Sequence, residues 1–251
     1  EKMKVFFDEK FLQTYTSDPA ARPGRLDYAL SEVKKRYPLV APMPCSEEDV
    51  RLVHTSSHLE YTRRDEKVYP MALLAAGAAI GAAEASLEGE AAFALCRPPG
   101  HHASPDSAWG FCYFNNVAIA VRKLLSEKKI NKALIVDFDL HFGDGTANAF
   151  SGEPGVLYYH VNGNSSQMFI ENLKAYLLEA RAELVAVSAG FDRHQDDWGG
   201  LLATSDYLEI GKILKTYARD NCQGRIFGAL EGGYNPRSLG EALMAFLEGL
   251  E

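Results

Sequence analysis

Four short apolar runs in this chain each end abruptly in a cluster of polar and glycine residues. Residues 91–95 lead into Arg97-Pro98-Pro99-Gly100-His101-His102, and residues 132–136 into Asp137-Phe138-Asp139-Leu140-His141-Phe142-Gly143-Asp144-Gly145. Residues 184–188 lead into Ala189-Gly190-Phe191-Asp192, and residues 226–230 into Glu231-Gly232-Gly233-Tyr234. Continuous apolar runs of this length suit strands buried on both faces of a parallel sheet. Between them lie segments with apolar residues at helical spacing, such as Val117, Ile119, Ala120, Val121, Leu124 and Leu125. Strand and helix in alternation predict an α/β fold, a single three-layer α/β/α domain with a mostly parallel sheet. Parallel strands end on one edge, and open α/β sheets bind ligands in the crevice outside those carboxyl ends. The four clusters are therefore expected to converge.

The remaining elements follow the same logic. Residues 4–7 read as the first strand and residues 25–36 as a helix ended before Pro38. Ser46-Glu47-Glu48-Asp49 has the capping side chain and early acids of a helix start. Pro70 opens an Ala-rich helix reaching about Ser86, in which Gly77 and Gly81 mark a close contact face. Helices are further expected over 115–127, near Thr146, over 168–181 and 206–219 and near 239–247, with a strand at 156–161. No repeat or linker divides the chain, so one domain is expected over 3–251, with Glu1-Lys2 ahead of Met3 as added residues. The longest apolar run, 71–83, is shorter than a bilayer needs, so no membrane partner is expected.

Charge and cysteines narrow the function. The formal net charge is −8 with no block of Lys or Arg, which argues against nucleic acid as a partner. Cys45, Cys96, Cys112 and Cys222 form no C-x-x-C pair, against a zinc ribbon or a disulfide framework. A reducing, cytoplasmic setting is the simpler expectation, in which Asn164-Ser165-Ser166 is a glycosylation acceptor by pattern only. The sequence does not indicate an oligomeric state.

The Asp137 segment carries the densest chemistry. In a strand-like register Asp137, Asp139 and His141 share one side, and two carboxylates with an imidazole suit a divalent metal. Gly143 and Gly145 then let the backbone turn sharply. The alternative is a polar loop capping a sheet, its acids taking backbone hydrogen bonds. Loops at strand ends concentrate function, and four such clusters on one edge favour the functional reading.

The stretches Arg97-Pro-Pro-Gly-His-His-Ala103, Gly110-Phe-Cys-Tyr-Phe-Asn-Asn116, Asp137-Phe-Asp-Leu-His141, Ser188-Ala-Gly-Phe-Asp192 and Leu230-Glu-Gly-Gly-Tyr-Asn235 resemble the zinc-dependent histone deacetylase family, within the arginase/deacetylase superfamily. They stand in family order and span more than half of the chain; Arg22-Pro23-Gly24-Arg25-Leu26 is more weakly similar to an N-terminal motif of the family. The resemblance implies an arginase/deacetylase-like fold and one catalytic Zn2+, with iron(II) the alternative, bound by Asp139, His141 and Asp192. Such a site leaves positions for water and a substrate carbonyl, and zinc lowers the pKa of bound water to about 7. His101 and His102 are similar to the family's tandem histidines, with His102 the proton acceptor and later donor, and Asp137 and Asp144 their carboxylate partners. Tyr234 is similar to the oxyanion donor, its ring placed by Gly232 and Gly233. Gly110, Phe111 and Gly233 would contact substrate, with Phe111 a wall of the channel. A structural K+ beside Asp137 is a further family property. The implied reaction removes an acetyl or other acyl group from an acylated lysine peptide or a small acylated amine. An acetylpolyamine or other small-amide amidohydrolase, a two-metal amidinohydrolase and a catalytically silent binding module are the alternatives.

Several positions depart from the family pattern. Phe142 replaces a second histidine, for which altered packing is expected. Only about thirty residues separate Tyr159 from Ser188, where most members carry a long loop with the second aromatic wall. A shallower, more open channel is expected, with Met168 or Phe169 closing one side. The serine that helps bind the structural cation is missing near residues 158–160. Asp65 is the candidate acid at the rim, and His194, Asp196 and Asp197 are expected to be solvated.

Overall fold

The computed structural model describes residues 3–251, so Glu1 and Lys2 lie outside the described residues. Its strands are β1 (Lys4–Phe6), β2 (Leu39–Val40), β3 (Ala92–Ala94), β4 (Ala133–Asp137), β5 (Val156–His160), β6 (Leu184–Ala189) and β7 (Ile226–Leu230). They form one sheet in the order β2-β1-β3-β7-β6-β4-β5, and every pairing is parallel. Every residue of β3, β4, β6 and β7 is buried, as their unbroken apolar runs require.

The helices are α1 (Asp27–Arg36), α2 (Glu47–Arg51), α3 (Ser56–Arg63), α4 (Val68–Ser86), α5 (Asn116–Ser126), α6 (Asp144–Ala149), α7 (Ser166–Glu179), α8 (Thr204–Asn221) and α9 (Pro236–Gly249). α4 and α5 pack together, while α1, α9, α8 and α7 pack in succession. These two groups are the outer layers of the sandwich. Side-chain caps set several starts: Asn115 accepts from Ala118 N at 3.1 Å, Ser165 from Met168 N at 3.1 Å, and Asn235 caps α9 ahead of Pro236.

α4 begins at Val68, ahead of Pro70, because a proline in the first turn forfeits no helical hydrogen bond. Asp65 Oδ1 accepts from Lys67 N (3.1 Å) and Val68 N (3.0 Å) at that end. The helix has 19 residues and a mean hydropathy of 1.4, long and apolar enough to cross a bilayer, yet most of it is buried against β1, β3, β7 and α5. A side chain at Gly81 would strike the Phe6 ring, and one at Gly77 the Met43 carbonyl.

Two of these strands and helices were not expected. β2 is two residues long, too short to show alternation. α3 buries only His58, Leu59 and Thr62, so its apolar stripe is nearly invisible, although Thr55 caps it by accepting from His58 N at 3.3 Å.

Candidate active site

β3, β7, β6 and β4 are contiguous in the middle of the sheet, and they are the four strands followed by the polar clusters. The apolar neighbours of the acids anchor them from below. Phe138, between Asp137 and Asp139, and Phe191, before Asp192, are fully buried and join Tyr207 and Phe246, with Phe138 and Phe246 centroids 5.1 Å apart.

The strand-like register expected for Asp137, Asp139 and His141 does not hold, because β4 ends at Asp137. Asp137 Oδ1 accepts from Asp139 N (3.1 Å) and Asp139 Oδ1 from His141 N (2.9 Å). Such local side-chain to backbone bonds replace ladder bonds and coil the segment. Asp137 therefore meets His101 at Nδ1, whereas Asp139, 3.6 Å from His101 Nε2, and His141 face Asp192. One ligand-type atom each from Asp139, His141 and Asp192 lies within 4.8 Å of the others. His141 Nδ1 is 3.4 Å from both Asp139 Oδ1 and Asp192 Oδ2.

The remaining oxygens of the acids are tied down. Asp139 Oδ2 accepts from Gly232 N (2.8 Å) and Asp192 Oδ1 from Leu140 N (3.0 Å). Asp192 Oδ2 is buried without a well-formed hydrogen bond. A buried, unsatisfied carboxylate oxygen is costly, and beside a second acid and an imidazole it fits a divalent cation. Burial, then the Asp139 charge, push the Asp192 carboxyl up. Burial works the same way on Asp139, but His101 and the bonds from His141 and Gly232 outweigh it and hold that carboxyl low. Asp139 and then Asp192, both facing its Nδ1, raise His141 to about 9.

Two histidine–carboxylate pairs stand beside this group. His101 Nδ1 is 2.9 Å from Asp137 Oδ2, which also accepts from the Tyr158 hydroxyl at 3.0 Å. His102 Nδ1 is 2.6 Å from Asp144 Oδ1, and Asp144 Oδ2 accepts from Trp109 Nε1–H at 2.8 Å. The Trp109 ring covers His102 at 4.1 Å. Burial opposes a charge on His101, but Asp139 and Asp137 outweigh it and hold the imidazole well above its ordinary pKa. Burial and then the His101 charge depress His102 despite Asp144. Gly143 is needed less for its turn than for space, since its φ is −77° and a side chain would strike the Asp137 carboxylate and Tyr158 hydroxyl. Glu231 Oε2 accepts from Gly100 N (2.7 Å) and His101 N (3.1 Å), fixing the backbone of the histidine pair. Burial pushes Glu231 up to about 7.

Above these groups is a pocket of about 110 Å³, with Trp109 and Phe111 beside Trp198 and Tyr234. Gly110 (φ 58°) and Phe111 (φ 67°) are both left-handed, and a side chain at Gly110 would run into the His102 ring. The Tyr234 hydroxyl makes no hydrogen bond among the described residues; burial, then the Asp139 charge, keep its proton in place. Arg25 holds that loop, Nε donating to Gly233 O and Nη2 to Glu231 O, both at 2.7 Å, and Gly233 has φ 118°. Wider grooves of about 690 and 400 Å³ adjoin the pocket, both lined by Asp18.

Some expectations change. Met168 is exposed and does not line the pocket, and Phe169 is buried with its ring against Arg193. Trp198, 53% exposed, supplies the wall instead. Asp197 is not merely solvated, since its Oδ2 accepts from Tyr234 N (2.7 Å) and Asn235 N (2.8 Å). His194 is buried, its Nε2 2.9 Å from Thr204 Oγ1, while Asp196 is exposed as expected. Asp65 does not line the pocket itself but a groove that shares Tyr61, Thr62 and Tyr113 with the 690 Å³ one. Phe142 is exposed and meets Tyr158 and His160 edge-on. Sequence reasoning gave no role to Arg25, Trp109, Trp198 or Glu231. Arg25 and Glu231 did lie inside quoted motifs, whereas the tryptophans carried no local signal.

Comparison with known proteins places these features in context. The histone deacetylase domain profile matches residues 20–169 and 161–250. A probable deacetylase of Archaeoglobus fulgidus is 32% identical over 290 aligned positions, covering 92% of this chain and 80% of that protein. Histone deacetylase 18 of Arabidopsis thaliana is also 32% identical, over 88% of this chain but only 39% of its own length. The crystal structure of the HDA15 HD domain superposes with a TM-score of 0.85 at 26% identity, covering all of this chain and 89% of that one.

Proposed function

The chain belongs to the histone deacetylase family, and from that premise we propose that it hydrolyses an N-acyl amide of an amine such as N-acetyl-lysine, using one divalent metal, zinc by preference. The observation that carries this reading is the Asp139–His141–Asp192 group, its two acids buried and one Asp192 oxygen unsatisfied, beside both histidine–carboxylate pairs and the unpartnered Tyr234 hydroxyl. A divalent ion held by those three side chains would polarise the amide carbonyl and acidify water.

The chain's own groups supply the rest. His102, kept neutral by its surroundings, accepts the proton of the attacking water at Nε2 while Asp144 fixes Nδ1–H, and it returns the proton to the departing amine. His101, held cationic by Asp137 and Asp139, contributes positive charge as the carbonyl oxygen gains electrons. The Tyr234 hydroxyl donates to that oxygen, a contribution whose loss typically costs about 10²–10³-fold in rate. Asp18 and Asp106 at the adjoining groove favour a cationic amine, which supports small acylated amines as a second substrate class. The four free, buried cysteines are consistent with the proposed reducing, cytoplasmic setting.

The experiment is acid release by zinc-reconstituted protein from an acetyl-lysine peptide, acetylated polyamines and a longer-chain acyl-lysine, with Asp192→Ala as the blank. Turnover that disappears in the variant supports the deacylase reading. No turnover on any substrate by the zinc-loaded protein overturns it in favour of a silent binding module.

A further inference from the structure

The loop carrying Asp192 continues into Arg193, whose side chain turns under the site and is only 7% exposed. Its Nε donates to Asp139 O at 3.1 Å. Its Nη2 lies within donating distance of Leu140 O (3.3 Å), Val161 O (3.2 Å) and His160 Nε2 (3.1 Å). The Phe169 ring closes the far side, 5.1 Å from the guanidinium carbon. All four hydrogen-bond partners are neutral acceptors. Three are backbone carbonyls, drawn from the loops after β4 and β5.

Carbonyl oxygens converging beside carboxylates are the donors that hard cations take. Here a guanidinium already fills that set. Where the family pattern offers a serine hydroxyl, this stretch offers His160, whose Nδ1 is 3.9 Å from Asp137 Oδ1. The residues present do not fit a monovalent metal ion. They do require positive charge, because Asp137, Asp139 and Asp192 are all fully buried within one small region. A guanidinium stays charged when buried, and its planar fork presents its donors in a fixed geometry, whereas a buried ammonium loses its proton more readily.

We propose that Arg193 is a built-in cation, a positioning residue whose tethered charge and N–H fork hold the Asp139–Leu140 backbone against Val161 and replace a bound K+ or Na+. It would orient the metal-binding side chains without any monovalent ion. Its attachment next to Asp192 makes it permanently present, as a diffusible ion is not. The zinc readout of this proposal rests on the metal-site reading above; the salt readout does not.

The test compares the full chain with Arg193→Gln and Arg193→Lys, measuring thermal unfolding and zinc affinity by chelator competition in KCl, NaCl and choline chloride. The wild-type protein is expected to show the same midpoint and zinc affinity in all three salts. Arg193→Gln is expected to lose about 10–100-fold in zinc affinity, the usual cost of removing a group that orients ligands. Millimolar guanidinium or K+, but not choline, should restore part of it, and Arg193→Lys should fall between. A wild-type midpoint that rises with K+ over choline overturns the proposal, as does an Arg193→Gln protein that binds zinc like the wild type. If Arg193→Gln does not fold, the wild-type salt series and Arg193→Lys decide. Because none of these readouts needs turnover, a failed deacylase assay leaves them intact.

Discussion

Trp198 lies face to face with Tyr234, ring centroids 3.9 Å apart and planes within 19° of parallel. Asp197, beside it, binds the backbone of Tyr234 and Asn235, so one loop sets both the pocket wall and the hydroxyl. Aromatic pairs contribute about 0.5–1.5 kcal/mol beyond area burial, so Trp198→Ala should lower kcat/KM on an acetyl-lysine substrate by about 2–12-fold. It should also favour longer acyl chains. The check is the ratio of kcat/KM for acetyl- and longer-chain acyl-lysine peptides; an unchanged ratio would separate Trp198 from the wall.

The acid limb of activity should follow His102. A general base must be neutral, so kcat/KM rises with pH through its pKa, and its depressed value extends activity below the ordinary histidine range near 6.5. Asp144 raises that pKa by hydrogen bond and charge. Asp144→Asn should therefore move the limb to lower pH while reducing the plateau by about 10²-fold or more. A pH–rate profile whose limb moves upward would contradict the assignment.

Glu231 should make stability depend on pH in the opposite sense to a salt-bridged acid. Its folded carboxyl titrates near 7 rather than 4.5, so between those values the folded state holds the extra proton and stability falls as pH rises. The full effect is of the order of 3 kcal/mol. Glu231→Gln keeps an acceptor for Gly100 and His101 and removes the titration. Urea unfolding at pH 5 and pH 8 should show the variant gaining on the wild type at the higher pH; parallel profiles would refute this.

Metal removal and charge removal should act oppositely at Asp192. Its carboxyl is raised by burial and by Asp139, so the ionised form burdens the metal-free protein at neutral pH. Asp192→Asn should raise the midpoint of chelator-treated protein and abolish the midpoint gain that added zinc gives the wild type. Calorimetry with and without zinc reads both effects. A variant that still gains stability from zinc would remove Asp192 from the ligand set.

The convergence of the site was legible because it depends on strand direction alone. β4 and β6 are parallel neighbours, so the loops that leave them bring Asp139, His141 and Asp192 together. The local path was less legible. Side-chain to backbone bonds at Asp137 and Asp139 turn Asp137 toward His101, and no strand periodicity announces that. The channel wall was least legible. Trp109 acts through Asp144 and Trp198 through Tyr234, each more than thirty residues on, while Phe169 is drawn under Arg193 into the core. His194 was misjudged because its partner, Thr204, lies ten residues on and shows only in the folded loop.

The position of β5 at the margin of the sheet has a consequence for how such a protein can lose length. A loop rooted on an outermost strand can be pruned without disturbing the four inner strands that carry the chemistry. Phe142, after β4, and Met168, after β5, are both exposed. A chain shortened at that place keeps every group carried on β3, β7, β6 and β4.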